Sequence, residues 1–390
     1  MRRRDTAAGK DDRVYRVPVV VRRSTALLVP VGAATALAHA VWELPAALGG
    51  RPSGERLERM RRSPRFRDGA FHNEVPASIA PASSGPGIMR EMARGRELRR
   101  PRAAVPLVSP SAADLATAPD DGLRTTWFGH ATVLVELEGR RVLFDPVWSE
   151  RVSPSRSIGP RRLHPVPMAL DALPPLDAVV ISHDHYDHLD MRTIRLLAAS
   201  GPVPFVVPLG VGAHLERWGI PPGRVIELDW EERASINGLD LVATAARHFS
   251  GRRRPGENST LWASWVVAGR NRRVFYTGDS GFFDDYARIG ATHGPFDLTL
   301  VQIGAYSPHW PDIHMTPEQG VATHLAVRGG VLVPVHWATF NLAMHSWSEP
   351  VERLLVDAAA HDVRVAVPRP GEPLDLDDLP RPDTWWRAIA

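Results

Sequence analysis

The 390-residue chain reads as an α/β protein, two sheets covered by helices, and three features of the sequence say so. Past Leu123, short apolar runs of strand length interleave with helix-length stretches, the pattern of a layered α/β domain. One run, Ala178-Val179-Val180-Ile181, leads straight into Ser182-His183-Asp184-His185-Tyr186-Asp187-His188-Leu189. Two others end in Thr277-Gly278-Asp279 and Val335-His336-Trp337, so candidate ligands stand at strand ends.

In chain order, residues 1–48 form a basic leader. Residues 1–102 carry 21 basic and 10 acidic side chains, and the remainder carries 26 and 34, so the basic excess belongs to the front. From Ala26 to Trp42 only Thr35 and His39 interrupt an apolar or small-residue run. About seventeen residues is the short limit for a membrane span. Ala38-His39-Ala40 has the small-x-small form of a signal-peptidase site behind Arg22-Arg23. An anchor, an interfacial helix and a cleaved signal stay open. Membrane association through this segment is the expectation, with a cytoplasmic or exported soluble protein as the alternative. A polybasic stretch beside an apolar one suits an anionic membrane surface. The stretch has no aromatic interleaving and no nucleic-acid motif, so no nucleic acid is expected.

Residues 49–119, rich in Pro, Gly, Ser and Arg, read as a wrap or linker with one amphipathic helix, Ile88 to Leu98. Residues 120–390 hold the globular domain. Its first strands are Thr125-Phe128, Thr132-Leu137 and Arg141-Phe144, with Glu138-Gly139 as a turn. A Pro-, Ser- and Arg-rich loop, Pro146 to Pro175, precedes the strand before the His cluster. Then come a helix Asp190–Ala199, a strand Phe205-Val207, a helix Val211–Trp218, and strands Val225-Leu228, Leu239-Ala245, Leu261-Val267 and Val274-Thr277. A helix Phe283-Ile289, a strand Leu298-Ile303, a helix Pro317-Val327, a strand Val331-Val335 and a helix Val351-Ala360 complete the domain.

Composition narrows the chemistry. Apolar residues at 44% and charged ones at 23% are those of a soluble globular protein. The chain has no cysteine, which excludes disulfides, thiolate zinc sites and a cysteine nucleophile. A metal must therefore be held by nitrogen and oxygen. In extended chain His183 and His185 point the same way, and Asp187 and His188 follow where a turn can aim them at a second point. His248, Asp279 and His336 end three further strands, and the Asp279 carboxylate can bridge two ions through its two oxygens. Imidazole and carboxylate suit zinc, and also iron or manganese. Two metal positions are expected. His130 and Asp145 are either orienting groups behind the ligands or ordinary buried polar residues.

The series His183-x-His185-x-Asp187-His188, His248, Asp279 and His336 resembles the metallo-β-lactamase superfamily of binuclear hydrolases. Within it, several stretches resemble the family of N-acylphosphatidylethanolamine-hydrolysing phospholipase D and its bacterial relatives. These are Trp127-Phe128-Gly129-His130-Ala131-Thr132, Phe144-Asp145-Pro146-Val147, Ile158-Gly159-Pro160-Arg161-Arg162, Arg247-His248-Phe249-Ser250-Gly251-Arg252, Leu261-Trp262-Ala263-Ser264-Trp265, Ile303-Gly304-Ala305-Tyr306 and Val335-His336-Trp337-Ala338-Thr339-Phe340. The resemblance implies a four-layer αββα sandwich. It also implies two Zn2+ ions, one on His183, His185 and His248, the other on Asp187, His188 and His336, with Asp279 bridging. It gives His314 a contact to the substrate phosphate. If protonated, that imidazole would stabilise the phosphorane or protonate the leaving alkoxide; a capping or surface role before the Thr316-Pro317 helix start is the other reading.

The expected activity is a phospholipase D-type phosphodiesterase, a metal-dependent hydrolase turning N-acylphosphatidylethanolamine into phosphatidic acid and N-acylethanolamine. Two ions about 3.5–4 Å apart lower the pKa of a shared water toward 7 and clamp phosphoryl oxygens, with Asp187, Asp279 and His314 as the catalytic set. The partners expected are a phospholipid and an anionic membrane, with a homodimer possible. The rivals are a lactonase similar to ascorbate-6-phosphate lactonase, a di-iron redox protein, and a membrane-associated metal-binding module without turnover. Trp310, Trp337, Phe340 and Trp347 are either core or the lining of an acyl groove.

Overall fold

A computed structural model describes residues 43–78, 85–381 and 383–390. Residues 1–42 of the leader, with the apolar segment Ala26–Trp42, lie outside the described residues. Among the described residues no helix is long and apolar enough to cross a membrane.

The described chain opens with α1 (Leu44–Ala47), α2 (Gly54–Arg62), a hairpin of β1 (Phe66–Arg67) and β2 (Ala70–Phe71), and α3 (Gly85–Ala93). Then follow β3 (Leu123–Gly129), β4 (Thr132–Leu137), β5 (Arg140–Phe144), β6 (Ala178–Val180), α4 (Met191–Ser200), β7 (Phe205–Pro208), α5 (Gly212–Arg217), β8 (Val225–Leu228), β9 (Arg233–Ile236), β10 (Leu239–Thr244), β11 (Ser264–Ala268) and β12 (Arg273–Tyr276). The chain continues through α6 (Asp285–His293), β13 (Phe296–Gln302), α7 (Pro317–Ala326), β14 (Gly329–Val335), α8 (Glu349–Ala360), β15 (Arg364–Val365) and β16 (Pro373–Asp375).

Two seven-stranded sheets result, in the orders β16-β3-β4-β5-β6-β7-β8 and β15-β14-β13-β12-β11-β10-β9. Each is mixed. In the first, β3, β4 and β5 pair antiparallel, while β5 to β8 run parallel. In the second, β9 to β12 are antiparallel, and β12 to β15 parallel.

The strands read as continuous apolar runs because both faces are covered. Successive residues divide between two clusters with period two. Val133, Val135, Val142, Phe144 and Val180 face the core that also holds Leu241, Ala243 and Trp265 of the second sheet. Leu134, Leu143 and Val179 face the other way, against Ile194 and Leu197 of α4 and Leu215 of α5. Tyr286 and Ile289 of α6, Val321 of α7 and Leu354 of α8 are buried in the cluster of the second sheet. Glu138 and Gly139 both take positive φ, 48° and 76°, as a two-residue hairpin joining right-twisted strands requires.

Several elements differ from the sequence expectation. The 49–119 stretch contains α2, which the sequence reading lacks; its Arg56 is clamped by Glu216 and Glu227 at 2.6 Å each, a pairing over 160 residues or more of chain. The helix expected at Ile88–Leu98 is α3 followed by a 3-10 turn, Arg96–Arg99, because Gly95 enters the left-handed region and breaks it. The strand expected at Leu261–Val267 starts only at Ser264, since the N–H groups of Leu261 and Ala263 bond to Leu209 and Ser182 of the other sheet. β9, β15 and β16 are short edge strands with weak apolar signals.

Trp265, wholly buried, crosses between the sheets, and its indole N–H donates to the Ile181 carbonyl at 3.1 Å. Trp265→Ala is expected to cost about 3–5 kcal/mol of stability. Urea unfolding checks this; an unchanged midpoint would deny Trp265 that role.

Candidate metal centre

The parallel strand pairs carry their C-terminal ends to one edge, where the loops that follow meet. His183–His188 follows β6, His248 follows β10, Asp279 follows β12 and His336 follows β14. Asp145 follows β5, and His130 lies between β3 and β4. Three of these loop residues hold left-handed backbone, with φ of 53° at His130, 38° at Asp145 and 64° at His336. Non-glycine residues adopt that region at a cost, and such residues concentrate at functional sites.

All seven expected ligands come together. His183 Nε2 and His248 Nε2 stand 2.8 and 3.3 Å from His185 Nδ1. His188 Nε2 and His336 Nε2 each lie 3.1 Å from Asp279 Oδ2, and 3.5 and 3.3 Å from Asp187 Oδ2. Asp279 Oδ2 is also 3.9 Å from Nε2 of both His183 and His248, so it sits between the two groups. Two donor sets, His183/His185/His248 and His130/Asp187/His188/His336, each converge within 4.8 Å. His314 joins a third set with His248 and Asp279, its Nδ1 3.9 Å from Asp279 Oδ2.

Residues behind the cluster fix which ring nitrogen faces inward. Asp145, fully buried, accepts from Ser182 N (2.7 Å), Ser182 Oγ (2.5 Å), Tyr276 Oη (2.5 Å) and His188 Nδ1 (2.7 Å). Asp145 thereby holds a proton on His188 Nδ1 and turns Nε2 toward the cluster. His248 Nδ1 donates to the Ile313 carbonyl at 2.9 Å with the same effect. Arg252 donates to the carbonyls of Asp184 (2.7 Å) and Leu189 (2.8 Å), closing the two ends of the His loop. Asp184 faces away, held by Gly251 N and His214.

Burial pushes the imidazoles of His183, His185 and His248 below the usual histidine range, so they are neutral, the form that ligates. Burial also opposes charge on His188, but the carboxylates of Asp279, Asp187 and Asp145 outweigh it and raise its pKa. Burial opposes ionisation of Asp187 and Asp279 too, yet the surrounding imidazoles, His188 first, hold both well below the carboxylate range.

The donors fit metal ions. Asp279 Oδ1 is buried without a hydrogen-bond partner, a costly state that ligation would relieve. Neutral imidazoles with ring nitrogens converging beside two ionised carboxylates form a nitrogen and oxygen set for divalent cations.

A family described as "Beta-lactamase superfamily domain" matches residues 140–337. The chain belongs to the β-lactamase superfamily. An uncharacterised protein of Mycobacterium tuberculosis is 49% identical over 94% of this chain and all of its own length. The N-acyl-phosphatidylethanolamine-hydrolyzing phospholipase D 1 of Caenorhabditis elegans is 40% identical over 61% of this chain and 71% of its own. A metallo hydrolase from Ignicoccus hospitalis superimposes with a TM-score of 0.51 at 23% identity, covering 65% of this chain and 97% of that one. Within the superfamily this chain is a metal-dependent hydrolase, and its His/Asp cluster can bind metal.

His130 comes closer to the cluster than an outer group need: its Nε2 is 2.9 Å from Asp187 Oδ2 and its ring 3.9 Å from that of His336. Burial pushes His130 down to about 3 and His314 down to about 4, which favours the neutral imidazole of each. Of the four candidate groove aromatics, Trp337 stacks on Trp127 (5.7 Å) and packs on Trp385 (5.6 Å) in the core, and Trp347 is buried near Trp385. Phe340 lies edge-on to His130 at 5.1 Å, and Trp310 is half-buried. Sequence reasoning missed Tyr276 and Ser182. Their signal is position alone, Ser182 directly before His183 and Tyr276 three residues before Asp279.

Asp145→Ala is expected to weaken zinc binding about 10–100-fold, measured by competition with a chromophoric chelator. Wild-type affinity would mean that the Asp145 network does not orient the ligands.

Proposed function

We propose that the chain is a phospholipase D-type phosphodiesterase of four-layer αββα architecture that hydrolyses N-acylphosphatidylethanolamine. The observation that carries this is Asp279 Oδ2 standing between two separate sets of donors. We assign His183, His185 and His248 to one ion, Asp187, His188 and His336 to the other, and Asp279 to both. Zn2+ ions bound there would supply Lewis acidity and a water of lowered pKa. The water oxygen adds to phosphorus, the bond from phosphorus to the ethanolamine oxygen breaks, and a proton passes to that oxygen. His314 is half-buried at the cluster, its side chain 13% exposed. As a neutral imidazole it can donate one N–H to a phosphoryl oxygen.

The 40% identity to the nematode phospholipase supports the lipid substrate. So does the surface. Residues 85–102 carry six arginines against two glutamates, and residues 151–162 carry four arginines and no acid. The exposed apolar side chains of Met89 (73%), Leu98 (54%) and Ile158 (75%) stand on these stretches. Both border one cavity of about 920 Å³, which Arg100, Arg161 and Arg162 line together with Trp148 and Met168. His164 of that cavity reaches Thr339 Oγ1 at 3.2 Å, which in turn accepts the His130 N–H at 2.6 Å. Glu150 also lines the cavity and pairs with Arg161 at 2.5 Å, leaving Arg100 and Arg162 as the further cations of its rim. An apolar floor with such a rim, one residue from the donor cluster, fits an anionic amphiphile at an anionic bilayer.

The test mixes zinc-loaded full-length chain with N-acylphosphatidylethanolamine in micelles and follows phosphatidic acid by mass. Formation of phosphatidic acid, slowed roughly 100-fold or more by Asp279→Ala, is the expected result. No product from a chain with both ions bound would overturn the lipid assignment, and lactone opening instead would favour a lactonase. Ile158→Asp should lower binding of the full chain to phosphatidylglycerol vesicles about tenfold, the loss of one inserted aliphatic side chain. Unchanged sedimentation with the vesicles would remove that loop from the docking face.

A further inference from the structure

The matched family region begins at residue 140, yet the donor cluster is held from outside it. Residues 71–78 lie along the loop that carries His248. Asn73 Nδ2 donates to the His248 carbonyl at 2.7 Å, and Asn73 Oδ1 accepts the His248 N–H at 3.0 Å. The same Oδ1 accepts the Trp262 indole N–H at 3.0 Å, which fixes the orientation of the amide. β10 ends at Thr244, so His248 stands past the ladder, and one side-chain amide supplies what a neighbouring strand would. Contacts continue on both sides of this pair. Phe71 N–H donates to the Asn258 carbonyl at 2.8 Å, Arg247 Nε donates to the Pro76 carbonyl at 3.1 Å, and Ser78 N–H donates to Asp312 Oδ2 at 3.0 Å. Asp312 also pairs with Arg247 at 2.9 Å.

We propose that Asn73 is a positioning residue for the metal centre. It pins the His248 peptide while the Ile313 carbonyl pins the ring through Nδ1, so Nε2 is aimed by two fixed points 175 and 65 residues away in sequence. The strap of residues 71–78 is thereby part of the site, although it contributes no ligand. This inference rests on the reading of the cluster as a metal centre.

The test uses the full chain as wild type, Asn73→Ala and Asn73→Asp. Each is stripped of metal and titrated with Zn2+ against a chromophoric chelator, and the thermal midpoint of each metal-free protein is measured. Wild type is expected to bind two equivalents. In Asn73→Ala one of them should weaken about 10–100-fold, the effect of losing an outer-shell group, with the other unchanged. The metal-free midpoint should stay within about 4 °C of wild type. Asn73→Asp keeps the acceptor for the His248 and Trp262 N–H groups and loses the donor, so it should fall between the two. It carries the test should the alanine variant fail to fold. Wild-type affinities in a folded variant would overturn the role of Asn73. Absence of zinc from the wild type would instead strike the metal reading beneath it.

Discussion

Everything at the strand-end edge answers to one electrostatic problem: two ionised carboxylates and seven imidazoles gathered around Asp279 Oδ2. Burying charge is tolerable only where it is paired or coordinated. The carboxylates of Asp187 and Asp279 are held ionised by imidazoles, and His183, His185 and His248 are held neutral by burial. That combination brings ring nitrogens within 2.8 Å of one another beside the carboxylates, a donor set suited to divalent cations.

The fold serves this problem by delivering short loops from both sheets to one edge and then locking them from behind. Asp145 ties β5, the His loop and β12 into one hydrogen-bonded knot through Ser182, His188 and Tyr276. Trp265 and Arg252 fasten the same loop from the core and from the opposite side. The strap adds Asn73. Rigid support of this kind keeps donors aimed without asking the ligand loops to be regular structure, and it explains why left-handed backbone at His130, Asp145 and His336 persists.

What could be read from sequence follows the same logic. The ligands were legible because four of them fall within six residues and three others directly follow apolar strand runs. The two-sheet pattern was legible because the central strands are apolar on both faces. Edge strands β9, β15 and β16 were not, being two to four residues long with mixed polarity. Helix α2 was hidden by its Arg-rich composition; its order comes from Glu216 and Glu227, far along the chain. Asn73 acts through three tertiary hydrogen bonds and Tyr276 through one, and contacts of that kind leave no local signature. Trp337 and Trp347 pack on other tryptophans and also line a small pocket with His336 and Phe340, contacts that spacing does not reveal.

The account stands or falls on metal stoichiometry. Native mass spectrometry of the full-length chain, reconstituted with zinc and freed of excess, measures it directly. The account predicts two ions per chain, falling to one when His183→Ala removes a ligand from one set only. A chain that retains no ion, or a His183→Ala variant that still holds two, would contradict it.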